Sequence, residues 1–219
     1  MTRLRISAAL FATLAFIACQ KGSAPPPNQT TAGTTAVPAA PAAPDSFRVA
    51  FETGKGRFVV QVNRAWAPHA ADRFHELVED GYYDRVKFFR VLPNFIAQFG
   101  IQGDPAVNKQ QDRPVPGDPV KESNRKGTLT YAMAGPNTSA TQLFINTRDN
   151  GRLDAMGFAP FARVVEGIEV VEKLYNGYGE GPPEGRGPDQ GRIESDGNTY
   201  LNRSFPRLDS IITARIIKD

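Results

Sequence analysis

Cysteine and histidine are scarce in this sequence, which holds one cysteine and two histidines among its 219 residues. A single cysteine excludes an internal disulfide framework and a zinc site built from several thiolates. The two histidines, His69 and His75, are six residues apart in a stretch with helical periodicity, so their side chains point in different directions. We therefore expect no metal site.

An excess of positive charge is also missing, because 26 Lys and Arg stand against 23 Asp and Glu and give a formal net charge of +3. Two of those positive charges, Arg3 and Arg5, lie at the extreme N-terminus. Proteins that follow a phosphate backbone cluster Lys and Arg on one face or stripe. A nearly neutral remainder of the chain therefore argues against a nucleic-acid partner.

The longest apolar run near the N-terminus covers residues 6–18 and is only thirteen residues long. That length is too short to span a bilayer as a helix. A positive end followed by a short apolar run is typical of a secretory signal, so we interpret residues 1–18 as a signal peptide.

The lone cysteine, Cys19, follows this run directly and is preceded by the small Ala18. The site resembles a bacterial lipobox, in which cleavage before the cysteine frees its thiol for lipid attachment. Phe16 departs from that pattern, since Leu is favoured three positions before the cysteine. We expect Cys19 to be lipidated and to anchor the protein to a membrane of the cell envelope. The alternative is an ordinary secretory signal and a soluble periplasmic or secreted protein.

The segment that follows is poor in residues that build a core: residues 21–45 contain no aromatic residue, Leu or Ile, but six prolines. Such a composition cannot bury enough apolar surface to offset its ordering entropy. We interpret residues 19–45 as the lipidated cysteine plus a disordered linker rich in Pro, Ala and Thr, and residues 46–219 as the folded domain.

Within the domain, alternating apolar residues on either side of Gly54-Lys55-Gly56 predict a hairpin over residues 47–62. Apolar residues at steps of three and four predict one helix at residues 68–81 and another at 168–174. Further strands are expected at residues 87–92, 95–99, 128–133, 143–147, 161–165 and 211–217. Many short strands with two helices indicate a mainly β fold with an antiparallel sheet that is closed or sandwiched.

Three spans carry a resemblance: FFRVLPNFIAQFG at residues 88–100, YAMAGPNTSATQLFI at 131–145, and residues 153–164. In this order they resemble the signature of the cyclophilin family. The resemblance implies a closed eight-stranded antiparallel barrel capped by two α-helices. It also implies a groove that isomerises Xaa-Pro bonds in proline-containing polypeptides. We expect no cofactor and a monomeric protein.

The family's catalytic arginine matches Arg90. Rotation about a peptide bond is opposed by about 18–20 kcal/mol, because the nitrogen lone pair is delocalised into the carbonyl. A guanidinium near the prolyl nitrogen stabilises the lone pair once the twisted state localises it there. The positions that match the family's substrate-binding residues are Phe95, Ile96, Gln98, Ala132, Met133, Gln142, Phe144, Leu153 and Phe158.

Three positions depart from the family pattern. Met133 stands where Asn is usual, Arg152 where many members have Trp, and Phe158 where they have His. For Phe144 and Leu153, plain barrel core is an alternative to a pocket wall, since apolar strand residues are usually core.

Two functional classes remain open at this point. One is an isomerase that accelerates the folding of exported proteins, and the other is a binding module for proline peptides with little turnover. The glycine-rich stretch at 176–192 lacks the Lys-Ser/Thr pair of a phosphate loop, so we interpret residues 176–207 as a surface insertion near the groove.

Overall fold

The computed structural model describes residues 42–218. Eight strands and four α-helices, with one 3₁₀ helix, make up this part of the chain. In chain order they are β1 (Ser46–Thr53), β2 (Gly56–Asn63), α1 (Pro68–Glu79), β3 (Arg90–Leu92), β4 (Ile96–Phe99), α2 (Pro105–Gln111), β5 (Thr128–Tyr131), β6 (Leu143–Asn146), the 3₁₀ helix (Gly151–Met156), β7 (Pro160–Glu166), α3 (Ile168–Glu172), α4 (Gln190–Ser204) and β8 (Ile211–Ile217).

The eight strands form one antiparallel sheet in the order β3-β4-β6-β5-β7-β2-β1-β8. The predicted hairpin is confirmed: β1 pairs with β2 in a register that places Thr53 opposite Gly56. The turn therefore consists of Gly54 and Lys55, the short loop that suits the twist of two antiparallel strands. The mainly β, antiparallel character expected from the sequence is thus present.

The closed barrel and its two-helix cap are not confirmed. The edge strands β3 and β8 share no ladder within residues 42–218, and the sheet is curled but open. Its edges approach only ahead of β3, where Lys87 forms an isolated bridge with Ser210 and the Phe88 N–H donates to the Asp209 carbonyl at 3.0 Å. β3 is three residues long because Pro93 follows it and cannot donate to a ladder.

Both predicted helices are present, as α1 and α3, but α2 and α4 were not predicted. α4 was missed because glycines interrupt its apolar pattern. At Gly197 the helix kinks, with a φ of 54°. A Cβ there would lie 2.2 Å from the Gly103 carbonyl oxygen, so glycine allows the helix to contact the loop before α2. The region interpreted as a surface insertion therefore contains a folded helix.

Two hydrophobic clusters fix these elements in place. In the main core, Phe74 of α1 packs its ring against Phe51 of β1 and Phe161 of β7, with centroids 6.3 and 5.1 Å apart. The second cluster joins α4 to Phe89, the buried residue directly before Arg90. The packing of α4 therefore fixes the backbone that carries Arg90.

Candidate active site

One groove of about 580 Å³ gathers the residues that the sequence singled out. Its lining includes all ten predicted site residues: Arg90, Phe95, Ile96, Gln98, Ala132, Met133, Gln142, Phe144, Leu153 and Phe158. They come from β3, β4, β6, the 3₁₀ helix and the loops around them. The strand order places β3, β4 and β6 side by side, which explains how residues far apart in sequence meet at one face.

Arg90 lies at the start of a hydrogen-bonded chain of polar side chains. Its Nη1 donates to Gln98 Oε1 at 3.0 Å, and Gln98 Nε2 donates to Gln142 Oε1 at 3.0 Å. The register places Arg90 opposite Gln98, and Gln98 opposite Phe144 on the next strand. Gln98 is only 5% exposed, so its amide has a fixed orientation between the arginine and the second glutamine.

The guanidinium of Arg90 also forms an ion pair that the sequence did not predict. Its Nε and Nη2 each donate to one carboxylate oxygen of Glu180 at 2.6 Å. These hydrogen bonds from Arg90 lower the pKa of Glu180, and the hydrogen bond from the Gly181 N–H acts in the same direction against the effect of burial. Glu180 is therefore ionised at neutral pH, and the pair is bidentate.

An apolar wall lies beside this polar chain. Ile96, Phe144 and Leu153 form a buried cluster of their own, separate from the main core, and Phe95 and Phe158 pack against it. The Phe144 and Phe158 rings meet edge to face with centroids 5.7 Å apart. Phe144 and Leu153 are thus buried, but in a cluster that lines the groove and is separate from the main core.

The three departures from the family pattern all lie on this groove. Met133 lines it from the loop just after β5, and Phe158 supplies an aromatic wall through its contact with Phe144. Arg152 is exposed, and its guanidinium carbon lies 5.0 Å from the centroid of the Phe95 ring. That distance is within the range of a cation–π contact, so the Arg152 side chain covers Phe95 at the groove mouth.

A buried network of asparagines supports the apolar wall from behind. Asn124 donates from Nδ2 to Asp154 and to the Phe158 carbonyl, both at 2.8 Å. Asn150 donates from Nδ2 to the Phe95 carbonyl at 2.9 Å and to Asn146 at 2.7 Å. Because these side chains hold the backbone on both sides of the pocket, the positions of Phe95 and Phe158 depend on satisfied polar groups as well as on packing.

Several groove residues were missed from the sequence. The far end is lined by Asn108 and Asp112, on or directly after α2, and by Gln190 and Glu194 of α4. Neither helix was predicted. Glu180, which contacts Arg90, is one of three acidic residues in the glycine-rich stretch at 176–192. No spacing or repeat in the sequence marks any of these residues. Only the fold shows that the first four line the groove and that Glu180 contacts Arg90.

No cluster of three or more His, Cys, Asp or Glu side chains able to hold a metal ion occurs in residues 42–218. In the same range, no helix has the length and apolar character needed to cross a membrane. Cys19, the predicted lipidation site, lies outside the described residues.

Comparison with known proteins identifies a family for this chain. The family described as cyclophilin type peptidyl-prolyl cis-trans isomerase matches residues 48–195. A peptidyl-prolyl cis-trans isomerase-like 1 from Aspergillus oryzae is 32% identical over 133 residues, which are 58% of this chain and 80% of the relative. A peptidyl-prolyl cis-trans isomerase from Acinetobacter baylyi is 31% identical over 134 residues, 58% of this chain and 71% of the relative.

Among solved structures, a Cryptosporidium parvum cyclophilin crystallised in the presence of the dipeptide Ala-Pro superposes with a TM-score of 0.57 at 20% identity. The match covers 78% of this chain and 99% of that one, and at 20% identity it shows similarity of fold alone. The matched family spans more than half of the chain, and the curated relatives carry the same activity in their names. The chain therefore belongs to the cyclophilin-type peptidyl-prolyl cis-trans isomerases.

Proposed function

We propose that Arg90 is the catalytic residue of this isomerase and that the groove binds the Xaa-Pro segment of a polypeptide against it. The carrying observation is that Arg90 lines the same groove as the apolar cluster of Ile96, Phe144 and Leu153. A proline ring seated on that cluster brings its nitrogen toward the guanidinium. The charge then stabilises the localised lone pair of the twisted amide more than the planar ground state.

The surrounding groups give this charge its effect. The apolar wall excludes water, and a charge acts more strongly where the dielectric constant is low. Gln98 and Gln142, joined by a hydrogen bond of 3.0 Å, present amide groups to the substrate backbone. No covalent intermediate is needed, because the reaction breaks no bond and requires only a lower barrier to rotation about the Xaa-Pro peptide bond. The Ala-Pro dipeptide present in the Cryptosporidium parvum crystal supports a proline peptide as ligand.

The test is substitution of Arg90. We expect Arg90→Ala to lower kcat/KM for a short Xaa-Pro peptide by at least about tenfold, since the loss of ~1.4 kcal/mol of transition-state stabilisation does so. Peptide affinity should change less than turnover. Arg163→Ala, which removes an exposed arginine of β7 outside the groove, is the matched control. Unchanged turnover in Arg90→Ala with an unchanged melting curve would refute the assignment.

We propose further that the protein acts as a monomer on exported proteins during their folding, tethered through a lipid on Cys19. The support is the positive N-terminus, the thirteen-residue apolar run and the lone cysteine that follows it. Uncatalysed Xaa-Pro isomerisation takes tens of seconds or more, slow enough to limit folding. Mass spectrometry of the mature N-terminus tests the anchor: a diacylated Cys19 supports it, and an unmodified Cys19 or cleavage elsewhere leaves plain export.

A further inference from the structure

We propose that Glu180, carried by the glycine-rich segment at 176–189, is a positioning residue that fixes the guanidinium of Arg90 for catalysis. This inference rests on the proposed catalytic role of Arg90. It assigns a function to the segment that the sequence showed only as an insertion, and it makes that segment part of the isomerase site.

The geometry of the guanidinium is the first support. Arg90 has five N–H donors, and three of them are directed at Glu180 and Gln98. One N–H on each terminal nitrogen remains without a protein partner within residues 42–218. The Glu180 carboxylate accepts hydrogen bonds along the Nε edge of the planar group, and Gln98 Oε1 accepts one from Nη1. Two contacts from different elements therefore set both the tilt and the rotation of the plane, and leave two donors for the substrate.

The fold of the segment is the second support, because it holds Glu180 by its own backbone. The Gly187 N–H donates to the Glu180 carbonyl at 2.7 Å, and the Gly185 N–H donates to the Gly181 carbonyl at 2.9 Å. A Cβ at Gly185 would lie 2.2 Å from the Glu180 carbonyl oxygen. The glycine at this position is therefore required by the close approach of two backbone segments around Glu180.

The segment is also attached to the strand that carries Arg90. The ring of Tyr178 packs edge to face on Phe205 with centroids 4.9 Å apart. Phe205 shares a buried cluster with Ile193 of α4 and with Phe89. Glu180 and Arg90 are thus each within two residues of the same packed unit, which supports the backbone on both sides of the ion pair.

The position of Glu180 relative to the groove favours positioning over inhibition. Arg90 lines the groove, whereas Glu180 is not among the residues that line it. The carboxylate therefore reaches the guanidinium without occupying the place of the substrate. A free arginine side chain loses rotamer entropy when it is ordered, and fixing it beforehand removes that cost from the catalytic step.

The experiment compares Glu180→Ala and Glu180→Gln with a matched control, Glu184→Ala, which removes an exposed carboxylate from the same segment. We expect Glu180→Ala to lower kcat/KM about five- to tenfold, mainly through kcat, at an unchanged melting temperature. Glu180→Gln should show a smaller decrease in kcat/KM, because the amide oxygen of the new side chain still accepts one hydrogen bond from Arg90. Glu184→Ala should match the wild type. If activity increases when the Glu180 carboxylate is removed, the proposal is overturned and Glu180 is shown to inhibit Arg90.

A double-mutant cycle separates this inference from the role of Arg90. If Glu180 acts through Arg90, Glu180→Ala has no further effect on kcat/KM in the Arg90→Ala background. An equal loss in both backgrounds shows a structural effect and refutes positioning. If Arg90→Ala alone is fully active, the proposed function fails; if only Glu180→Ala is fully active, the positioning role alone fails.

A spectroscopic readout keeps the test valid for a destabilised variant. In the wild type, the Nε–H proton of Arg90 should give a sharp NMR signal that exchanges slowly with water, because Glu180 accepts it. In Glu180→Ala this signal should broaden or vanish, while it persists in Glu184→Ala. A wild-type Arg90 Nε–H signal that exchanges as fast as that of an exposed arginine would contradict a stable hydrogen bond from Arg90 to Glu180.

Discussion

Replacement of Gly185 by alanine probes the glycine-rich segment without touching any groove residue. The added Cβ would lie 2.2 Å from the Glu180 carbonyl oxygen, about 1.2 Å inside ordinary van der Waals contact. The backbone near Glu180 must move by about that amount, which is enough to lengthen its 2.6 Å contacts with Arg90 beyond hydrogen-bonding range. Overpacking of this kind costs about 1–3 kcal/mol, and the strained hydrogen bond from Gly187 adds about 1 kcal/mol.

We therefore expect Gly185→Ala to reduce kcat/KM by up to the same factor as Glu180→Ala, with a melting temperature a few degrees lower. The assay is turnover of a short Xaa-Pro peptide beside a thermal melt. Gly54→Ala is the control, because a Cβ there meets nothing within 4 Å and the residue lies in the hairpin turn between β1 and β2. If Gly185→Ala and Gly54→Ala behave alike in both measurements, the segment does not determine the position of Glu180.

Two further predictions concern stability. Phe144 is 3% exposed in the groove wall. Phe144→Ala should therefore lower the unfolding free energy, measured by denaturant titration, by about 3–5 kcal/mol and should raise KM for the peptide. A decrease below about 1 kcal/mol would contradict the buried packing of Phe144. Burial acts to raise the pKa of Asp154, but hydrogen bonds from Ser123 and Asn124 outweigh it and leave that pKa lowered. Since the folded pKa is below the unfolded value of about 3.9, Asp154 stabilises the fold above that pH, and this stabilisation is lost as pH falls through the folded pKa. Between pH 5 and pH 2, the melting temperature of the wild type should fall more steeply with pH than that of Asp154→Asn. Equal slopes of melting temperature against pH would refute this contribution.

How far the sequence predicts this molecule depends on the kind of signal each part carries. The hairpin, α1 and β8 have strong local periodicity, and the structure places them as expected. The ten predicted site residues also meet in one groove, because short ordered motifs fixed their places along the strands. α4 was missed because Gly197 lies inside it with a positive φ, a conformation that only the tertiary contact with Gly103 explains.

The remaining differences have the same origin in long-range contacts. The open edge between β3 and β8 depends on how residues 86–88 meet the chain before β8, a contact that no local pattern encodes. The ion pair between Arg90 and Glu180 joins residues ninety positions apart through the fold of a glycine-rich segment. A carboxylate in such a segment has no periodicity or spacing that could mark it.

The most direct test of the central claim is the rate at which the purified chain interconverts the cis and trans forms of a short Xaa-Pro peptide, measured by exchange NMR at catalytic protein concentration. The uncatalysed reaction takes tens of seconds or more. We predict that the wild-type chain accelerates it in proportion to protein concentration, and that Arg90→Ala loses at least about tenfold of the catalysed rate. Binding of the peptide by the wild-type chain with no acceleration would contradict the account and identify the groove as a binding module.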